Sequence, residues 1–190
     1  MNTPNIPNLI TFLRILLIPV FVAVYIIPGQ LTYLLAAILF SLAAITDWLD
    51  GYLARRLQQM TRFGAFLDPV ADKLMVVVAL VMLIGSYHNL LFTLPALVII
   101  GREIMISALR EWMAEMNRRG VVAVSWIGKV KTTMQMIAVI ILLANPPFLD
   151  RPWVIVGYVF LYAAAILTLW SMVVYLRAAW PTLKEGMHGG

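Results

Sequence analysis

Four aspartates stand at fixed spacings between positions 47 and 72 of a sequence that is otherwise strongly apolar. A carboxylate at membrane depth costs several kcal/mol unless it is paired, hydrated or bound to a metal. Carboxylate oxygens are the ligands that Mg²⁺, Mn²⁺ and Ca²⁺ prefer, so this segment is a candidate site for hard cations. We call the pattern D-x2-D-G-x2-A-R-x8-G-x3-D-x3-D the aspartate frame, and its positions are Asp47, Asp50, Gly51, Ala54, Arg55, Gly64, Asp68 and Asp72.

The spacing of the aspartates predicts that they meet on two neighbouring helices. Asp47 and Asp50 are three residues apart, so on a helix they share one face. Asp68 and Asp72 are four residues apart and share a face in the same way. A short arginine-rich turn would join the two helices as an antiparallel pair, from which four carboxylates can converge on one pocket. Four carboxylates are enough to bridge two metals, and two-metal sites stabilise the attacking and leaving oxygens in phosphoryl displacement.

The small residues of the frame suit a nucleotide diphosphate. Glycine inside a helix costs roughly 1 kcal/mol relative to alanine, and Gly51 offers in return a patch of bare backbone that a ligand can approach closely. Ala54 continues this small-residue face, and Arg55 adds a guanidinium that can bind phosphate.

Each of these residues also has a structural interpretation when it is taken alone. Asp47 could cap a helix or pair with a nearby arginine. Gly51 and Ala54 could form a packing contact between helices, and Arg55 could be a cytoplasmic charge that only sets topology. The joint pattern favours the functional interpretation, because eight positions agree in type and spacing.

The composition indicates an integral membrane protein. Of the 190 residues, 63% are hydrophobic and only 12% are charged, whereas about a quarter of the residues in a soluble domain are charged. The chain has no cysteine, which excludes disulfides, zinc–thiolate sites and a cysteine nucleophile. The net charge of +5 does not indicate nucleic acid, because the basic residues flank apolar segments. Anionic lipid or a phosphorylated substrate is the simpler partner.

Apolar stretches separated by turn residues predict six helices, several of them longer than the roughly 20 residues needed to cross a bilayer. They run over about Pro7–Ile27, Leu31–Leu57, Phe66–Gly85, Leu91–Met116, Gly128–Ala144 and Pro152–Trp180. We expect the last helix to stop at Pro181 and Pro69 to lie in the first turn of the third helix.

Basic residues predict the orientation of the helices, because cytoplasmic links carry an excess of lysine and arginine. The links after helices two and four are basic, whereas the opposite links hold only Arg151. Both termini are therefore predicted to be cytoplasmic, and the aspartate frame is predicted to open to the cytoplasm. The basic residues on this side are Arg55, Arg56, Arg62, Arg110, Arg118, Arg119, Lys129, Lys131, Arg177 and Lys184.

The aspartate frame resembles the signature of the CDP-alcohol phosphotransferases, and every position of that signature is matched. Three further runs, at residues 5–14, 102–115 and 125–132, are similar to the bacterial branch whose acceptor is glycerol 3-phosphate. The resemblance implies an all-α polytopic membrane enzyme with six transmembrane helices in a single domain, residues 1–190. It also implies a homodimer in the bacterial cytoplasmic (inner) membrane, with the active site facing the cytoplasm.

The resemblance implies a reaction and a role for each residue of the frame. Family members move a phosphatidyl group from CDP-diacylglycerol to an alcohol and release CMP, and with glycerol 3-phosphate this is the first step of phosphatidylglycerol and cardiolipin synthesis. Two divalent cations, Mg²⁺ or Mn²⁺, would bind Asp47, Asp50, Asp68 and Asp72. The CDP site would be formed by Asp47, Gly51, Ala54 and Arg55. Asp72 would also be the general base, since a base must reach the proton of the acceptor hydroxyl.

An acceptor that carries a phosphate needs a cationic pocket of its own. Candidates for its phosphate are Arg14, Arg110, Arg118, Lys129 and Lys131. Asn8 and Thr11 share a broad helical face with Arg14 and are further candidates. Arg102 and Glu103 lie near the middle of helix four, where an ionisable pair is a candidate functional site. A structural pairing, with each other or with another helix, is the alternative.

Two other interpretations remain open at this point. An ion or proton transporter also carries intramembrane carboxylates, but it would spread them along a path across the bilayer. Within the family, inositol phosphate, serine or choline could be the acceptor in place of glycerol 3-phosphate.

Overall fold

The computed structural model describes residues 6–57, 62–115 and 126–188, and these segments are helical apart from short turns. The predicted all-α fold is confirmed for this part of the chain, and the helices fall on the six predicted apolar stretches. They are α1 (Ile6–Ile26), α2 (Gln30–Leu57), α3 (Arg62–Tyr87), α4 (Leu90–Glu115), α5 (Trp126–Leu143) and α6 (Pro152–His188).

The helices are arranged in two compact units. The first contains α1, α2 and α3 together with the segment Val139–Ile155. The second contains the segments His88–Ala138 and Val156–Gly190, and therefore α4 and most of α5 and α6.

Small residues let the helices of the first unit approach one another closely. Ala36 and Ala43 are buried on α2 around Phe40, and Ala71 and Ala79 are buried on α3. All three pairs among α1, α2 and α3 are in contact. Helices in a membrane associate through van der Waals packing of small residues rather than through the hydrophobic effect. The two helices that carry the aspartate frame are therefore packed against each other.

In the second unit, α4 and α6 run parallel, and hydrogen bonds between them follow the same order along both helices. From one end to the other, the pairs are Asn89 with Tyr158, Leu91 with Tyr162, Arg102 with Ser171, and Arg110 with Tyr175.

The buried stripe between α4 and α6 changes from apolar to polar along its length. At one end it is formed by Phe92, Ala96 and Ile99 on α4 and by Leu161 and Ala164 on α6. Further along the same faces, the buried positions include polar or ionisable residues beside apolar ones such as Ile106 and Met113, and the polar or ionisable ones are Arg102, Thr168, Ser171 and Tyr175. The parallel register therefore brings buried polar groups of both helices together in this part of the unit.

A tight turn separates α3 from α4. His88 adopts a left-handed conformation with φ of 47°, which is typical of the residue that follows a helix. Asn89 then caps α4, because its side-chain Oδ1 accepts a hydrogen bond from the backbone N–H of Phe92 at 2.8 Å. This bond satisfies one of the N–H groups that have no partner within the helix.

Three of the described helices are long and apolar enough to cross a bilayer by length and composition. The corresponding segments are Leu9–Ile26, Leu90–Ala114 and Pro152–Pro181, and shorter apolar stretches occur at Gln30–Thr46 and Lys73–Tyr87. On α6, large apolar side chains remain exposed along one face, as expected for contact with lipid, and they include Ile155, Val159, Ile166, Trp170 and Val173.

Two predicted helix ends are wrong. The last helix does not stop at Pro181 but continues to His188. At 1.5 Å per residue, the apolar segment that ends at Pro181 is about 45 Å long, which exceeds the roughly 30 Å hydrocarbon core. Pro181 has no N–H to bond the carbonyl of Arg177, four residues earlier. Both residues are exposed, so water can bond that carbonyl instead. The third helix begins at Arg62 rather than near Phe66, so Pro69 lies about two turns into the helix and not in its first turn.

A proline inside α4 is compensated by a neighbouring tyrosine. Pro95 has no N–H to bond the carbonyl of Leu91, and the Tyr162 hydroxyl donates to that carbonyl at 2.8 Å. We predict that Tyr162→Phe lowers the free energy of unfolding by about 0.5–1 kcal/mol. In a Pro95→Ala background the restored N–H should remove most of this loss. Denaturant titration in mixed micelles checks both values, and an equal loss in the two backgrounds would contradict the compensation.

Candidate functional site

The aspartate frame lies on two helices that contact each other. Asp47 and Asp50 are on α2, and Asp68 and Asp72 are on α3, as the spacing predicts. The structure does not describe the side chains of the frame, and this includes the positions on α2 that are predicted to bind CDP. The surroundings of Gly64 are not described either. Among the side chains that are described, no group of three or more histidine, cysteine, aspartate or glutamate residues could hold a metal. The metal-binding roles of the aspartates therefore remain a prediction from the sequence.

The best-defined polar feature of the described chain is a buried ion triad formed by Arg102, Glu103 and Lys131. One carboxylate oxygen, Glu103 Oε1, accepts from Arg102 Nη1 at 2.8 Å and from Lys131 Nζ at 2.5 Å. Arg102 and Lys131 are only 8% and 2% exposed. The pairing that the sequence left open thus occurs both within α4 and between α4 and α5. A charge at this depth is tolerated when it is paired and hydrogen-bonded.

A second group of contacts surrounds Tyr175 on α6. Arg110 Nη2 donates to the Tyr175 hydroxyl at 3.1 Å, and the Arg110 Cζ lies 5.4 Å from the centre of the ring. The Cζ of Arg102 lies 5.6 Å from the same ring centre. Both distances are within the range for cation–π attraction. Tyr175 therefore joins the buried ion triad to Arg110, a more exposed cation.

Further polar groups line the same half of the unit. Arg102 Nη2 makes a long contact, 3.5 Å, with the Ser171 hydroxyl, which itself donates to the Thr168 carbonyl at 2.9 Å. Gln135 lies one turn beyond Lys131 on α5 and is 3% exposed. Gln135 Oε1, Thr168 Oγ1 and Arg102 Nε are buried without a hydrogen-bond partner. Buried polar atoms of this kind are usually satisfied by water or a ligand.

We call the residues joined by these contacts the cationic cluster, and they are Arg102, Glu103, Arg110, Lys131, Ser171 and Tyr175. Counted over these described side chains, its charge balance is positive. Among the described side chains in contact with one another here, Arg102, Arg110 and Lys131 are cationic and only Glu103 is anionic. Guanidinium and ammonium groups bind phosphate through charge-assisted hydrogen bonds. The arrangement is therefore suited to a small anionic ligand. Of the predicted acceptor residues, Arg110 and Lys131 are the two that the structure brings into this cluster.

The other predicted acceptor residues have different surroundings. Thr11 and Arg14 share one face of α1 and are 0% and 1% exposed, and they belong to the first unit. Lys129 is exposed on α5, and it is two residues from Lys131, which turns it about 200° away around the helix. Asn8 lies in the first turn of α1, but the structure does not describe its side chain. Arg118 lies outside the described residues altogether.

Sequence reasoning missed Tyr175 and Ser171. Both lie in a segment that is apolar overall, where a tyrosine is typical of a position at the membrane interface. A signal was nevertheless present, because Thr168, Ser171 and Tyr175 are spaced at i, i+3 and i+7 and so share one helical face.

Comparison with known proteins identifies the family of the chain. The CDP-alcohol phosphatidyltransferase family matches residues 4–170, which span both units. The chain belongs to this family. The match covers the whole aspartate frame and all the residues of the cationic cluster except Ser171 and Tyr175.

Members of this family with similar sequences occur in several bacteria. A protein of Pseudomonas fluorescens is 62% identical over 95% of this chain and 92% of its own length. One from Pectobacterium atrosepticum is 57% identical over 95% and 98%, and one from Shigella flexneri is 56% identical over 92% and 94%. Each of the three is named CDP-diacylglycerol–glycerol-3-phosphate 3-phosphatidyltransferase.

The buried ion triad generates a stability prediction. Glu103→Gln leaves Arg102 and Lys131 without their shared carboxylate, and we expect it to lower the free energy of unfolding by about 3 kcal/mol or more. Lys131→Met should cost less, because Glu103 keeps its contact with Arg102. Glu111→Gln, at an exposed position of the same helix, is the matched control and should change little. Unfolding in mixed micelles checks the order, and equal stability of the Glu103 and Glu111 variants would contradict it.

Proposed function

We propose that this protein transfers the phosphatidyl group of CDP-diacylglycerol to glycerol 3-phosphate, giving phosphatidylglycerophosphate and CMP. The observation that carries this proposal is the 56–62% identity to enzymes named for this reaction, over at least nine-tenths of both chains. The complete aspartate frame and the cationic cluster on α4, α5 and α6 supply the two kinds of group that the reaction needs.

The aspartate frame fits a pair of divalent cations by the chemistry of its donors. We propose that Asp47, Asp50, Asp68 and Asp72, on two helices in contact, would hold Mg²⁺ or Mn²⁺ through oxygen ligands alone. When bound, such ions neutralise the diphosphate and the charge that develops on it. Gly51, Ala54 and Arg55 lie on α2 and would receive the CDP group next to these aspartates.

The chemical step is a direct displacement, since no covalent nucleophile is evident in the sequence. The 1-hydroxyl of glycerol 3-phosphate attacks the lipid-side phosphorus, a new P–O bond forms, and the bond to the bridging oxygen breaks as CMP leaves. Asp72 takes the proton of the attacking hydroxyl. Arg55 stabilises negative charge on the phosphate.

The cationic cluster is proposed to bind the phosphate of the acceptor. Arg110 and Lys131 are the principal ligands, because they lie in one cluster with a positive charge balance. Arg14, Arg118 and Lys129 are further candidates from the sequence. Arg110 is exposed and Lys131 is buried, and the chain of contacts through Tyr175, Arg102 and Glu103 links the two.

We further propose that all six helices cross the bacterial inner membrane with both termini in the cytoplasm, and that the protein is a homodimer. Three of the described helices are long and apolar enough to span a bilayer. The distribution of basic residues supports the orientation, and the dimer is an expectation from the family resemblance.

Release of CMP tests the proposed reaction directly. Purified protein in detergent, supplied with CDP-diacylglycerol and Mg²⁺, should release CMP only when glycerol 3-phosphate is added. Inositol phosphate and serine, offered in parallel, should give no release. An Asp72→Asn variant should lose at least about 10³-fold in turnover, as expected for loss of a general base. CMP release with another acceptor in place of glycerol 3-phosphate would contradict the substrate assignment.

Substitution within the frame tests the metal site. Asp50→Asn and Asp68→Asn should each abolish turnover and weaken Mn²⁺ binding, measured by electron paramagnetic resonance, while the helical circular dichroism spectrum stays unchanged. Asp150→Asn, at an exposed position outside the helices, is the matched control and should keep both properties. Retained turnover and metal binding in the two frame variants would rule out the assignment.

The absence of cysteine makes the proposed topology easy to test. A single cysteine at Asp150 should react with a membrane-impermeant maleimide in intact spheroplasts. A single cysteine at Lys184, which is also exposed, should react only after the membrane is broken. The unmodified protein gives no background, and labelling of both sites in intact spheroplasts would contradict the predicted orientation.

A further inference from the structure

We propose that Tyr175 is a positioning residue for the acceptor, acting through Arg110. The inference rests on the proposed function, because it assumes that Arg110 binds the phosphate of glycerol 3-phosphate. It adds a residue on α6 that neither the aspartate frame nor the predicted cationic pocket contains.

The contacts of Tyr175 fix the direction of the Arg110 guanidinium. The hydroxyl accepts from Arg110 Nη2 at 3.1 Å, and the ring lies 5.4 Å from Cζ. An arginine at an exposed helical position loses considerable rotamer entropy when it binds a ligand. Tyr175 removes part of this loss in advance. The guanidinium has five N–H donors, so the bond to Tyr175 leaves others available for phosphate.

Tyr175 is itself held by buried groups. It is 5% exposed, and its ring lies 5.6 Å from the Cζ of Arg102, which is fixed by Glu103 and Ser171. The ring attracts both guanidinium groups through its negative face, which offsets part of the repulsion between two like charges. A chain of contacts therefore runs from the buried ion triad through Tyr175 to Arg110.

A purely structural role for Tyr175 makes different predictions. A buried aromatic residue that only packs would affect stability, and its loss would not distinguish between the two substrates. A positioning residue changes the apparent affinity for the substrate that its partner binds. The Michaelis constants for glycerol 3-phosphate and for CDP-diacylglycerol, measured separately, therefore distinguish the two roles.

The first variant to test is Tyr175→Leu, which removes the ring and the hydroxyl together. We expect the KM for glycerol 3-phosphate to rise about tenfold, whereas the KM for CDP-diacylglycerol stays within about twofold. Tyr158→Leu is the matched control, because Tyr158 is also buried on α6 and hydrogen-bonded, to Asn89. It should leave both constants unchanged. Equal changes in the two constants, or no change in the KM for glycerol 3-phosphate, would overturn the proposal.

Two further variants protect the test against misfolding and identify the partner. Tyr175→Phe keeps the ring and should raise the KM for glycerol 3-phosphate by only about threefold, as expected for one lost hydrogen bond. In an Arg110→Ala background, Tyr175→Leu should have little further effect, because the two residues act as one unit. Additive effects of the two substitutions would contradict action through Arg110.

The outcomes also separate this inference from the proposed function. Wild-type protein that releases no CMP with glycerol 3-phosphate would disprove the function. A different result would disprove only the role of Tyr175. In that case the wild-type protein reacts normally, Arg110→Ala raises the KM for glycerol 3-phosphate, and Tyr175→Leu leaves that KM unchanged.

Discussion

A charge in the hydrocarbon core of a membrane must find an opposite charge or a polar partner within the protein, because the lipid offers none. In the second unit this constraint is met by a single carboxylate oxygen of Glu103, which contacts both Arg102 and Lys131. That contact connects the ionisable groups of three helices. It joins α4 to α5, and through Arg102 it reaches Ser171 and Tyr175 on α6.

The parallel register of α4 and α6 turns this local contact into a site. Because hydrogen bonds between the two helices follow the same order along both, the ionisable residues of α4 lie beside Ser171 and Tyr175 of α6. Arg110 lies on the same stretch of α4, at an exposed position. The two units carry different kinds of group. The first has the carboxylates proposed to bind metal ions, and the second has the cations proposed to bind the phosphate of an acceptor.

The sequence predicted the features that depend only on residues close together in the chain. Asp47 and Asp50 fall on α2, and Asp68 and Asp72 on α3, because the spacing within each pair is a helical repeat. The prediction that the last helix ends at Pro181 was wrong. The free-energy cost of a proline inside a helix depends on whether water can reach the carbonyl that loses its hydrogen bond, and the sequence does not show this. Tyr175 was missed for a related reason. Its importance comes from contacts with Arg102 and Arg110, more than sixty positions earlier in the chain, and no local pattern encodes the register of two helices.

Selection of the acceptor by its phosphate is the central claim, and comparison of glycerol 3-phosphate with glycerol tests it most directly. The two molecules share the attacking hydroxyl and differ in the charged group. We expect kcat/KM to be about a thousandfold or more higher for glycerol 3-phosphate, and Lys131→Met to reduce that ratio substantially by lowering only the larger value. Similar values for the two acceptors in the wild-type protein, or an unchanged ratio in the Lys131→Met variant, would contradict the role assigned to the cationic cluster.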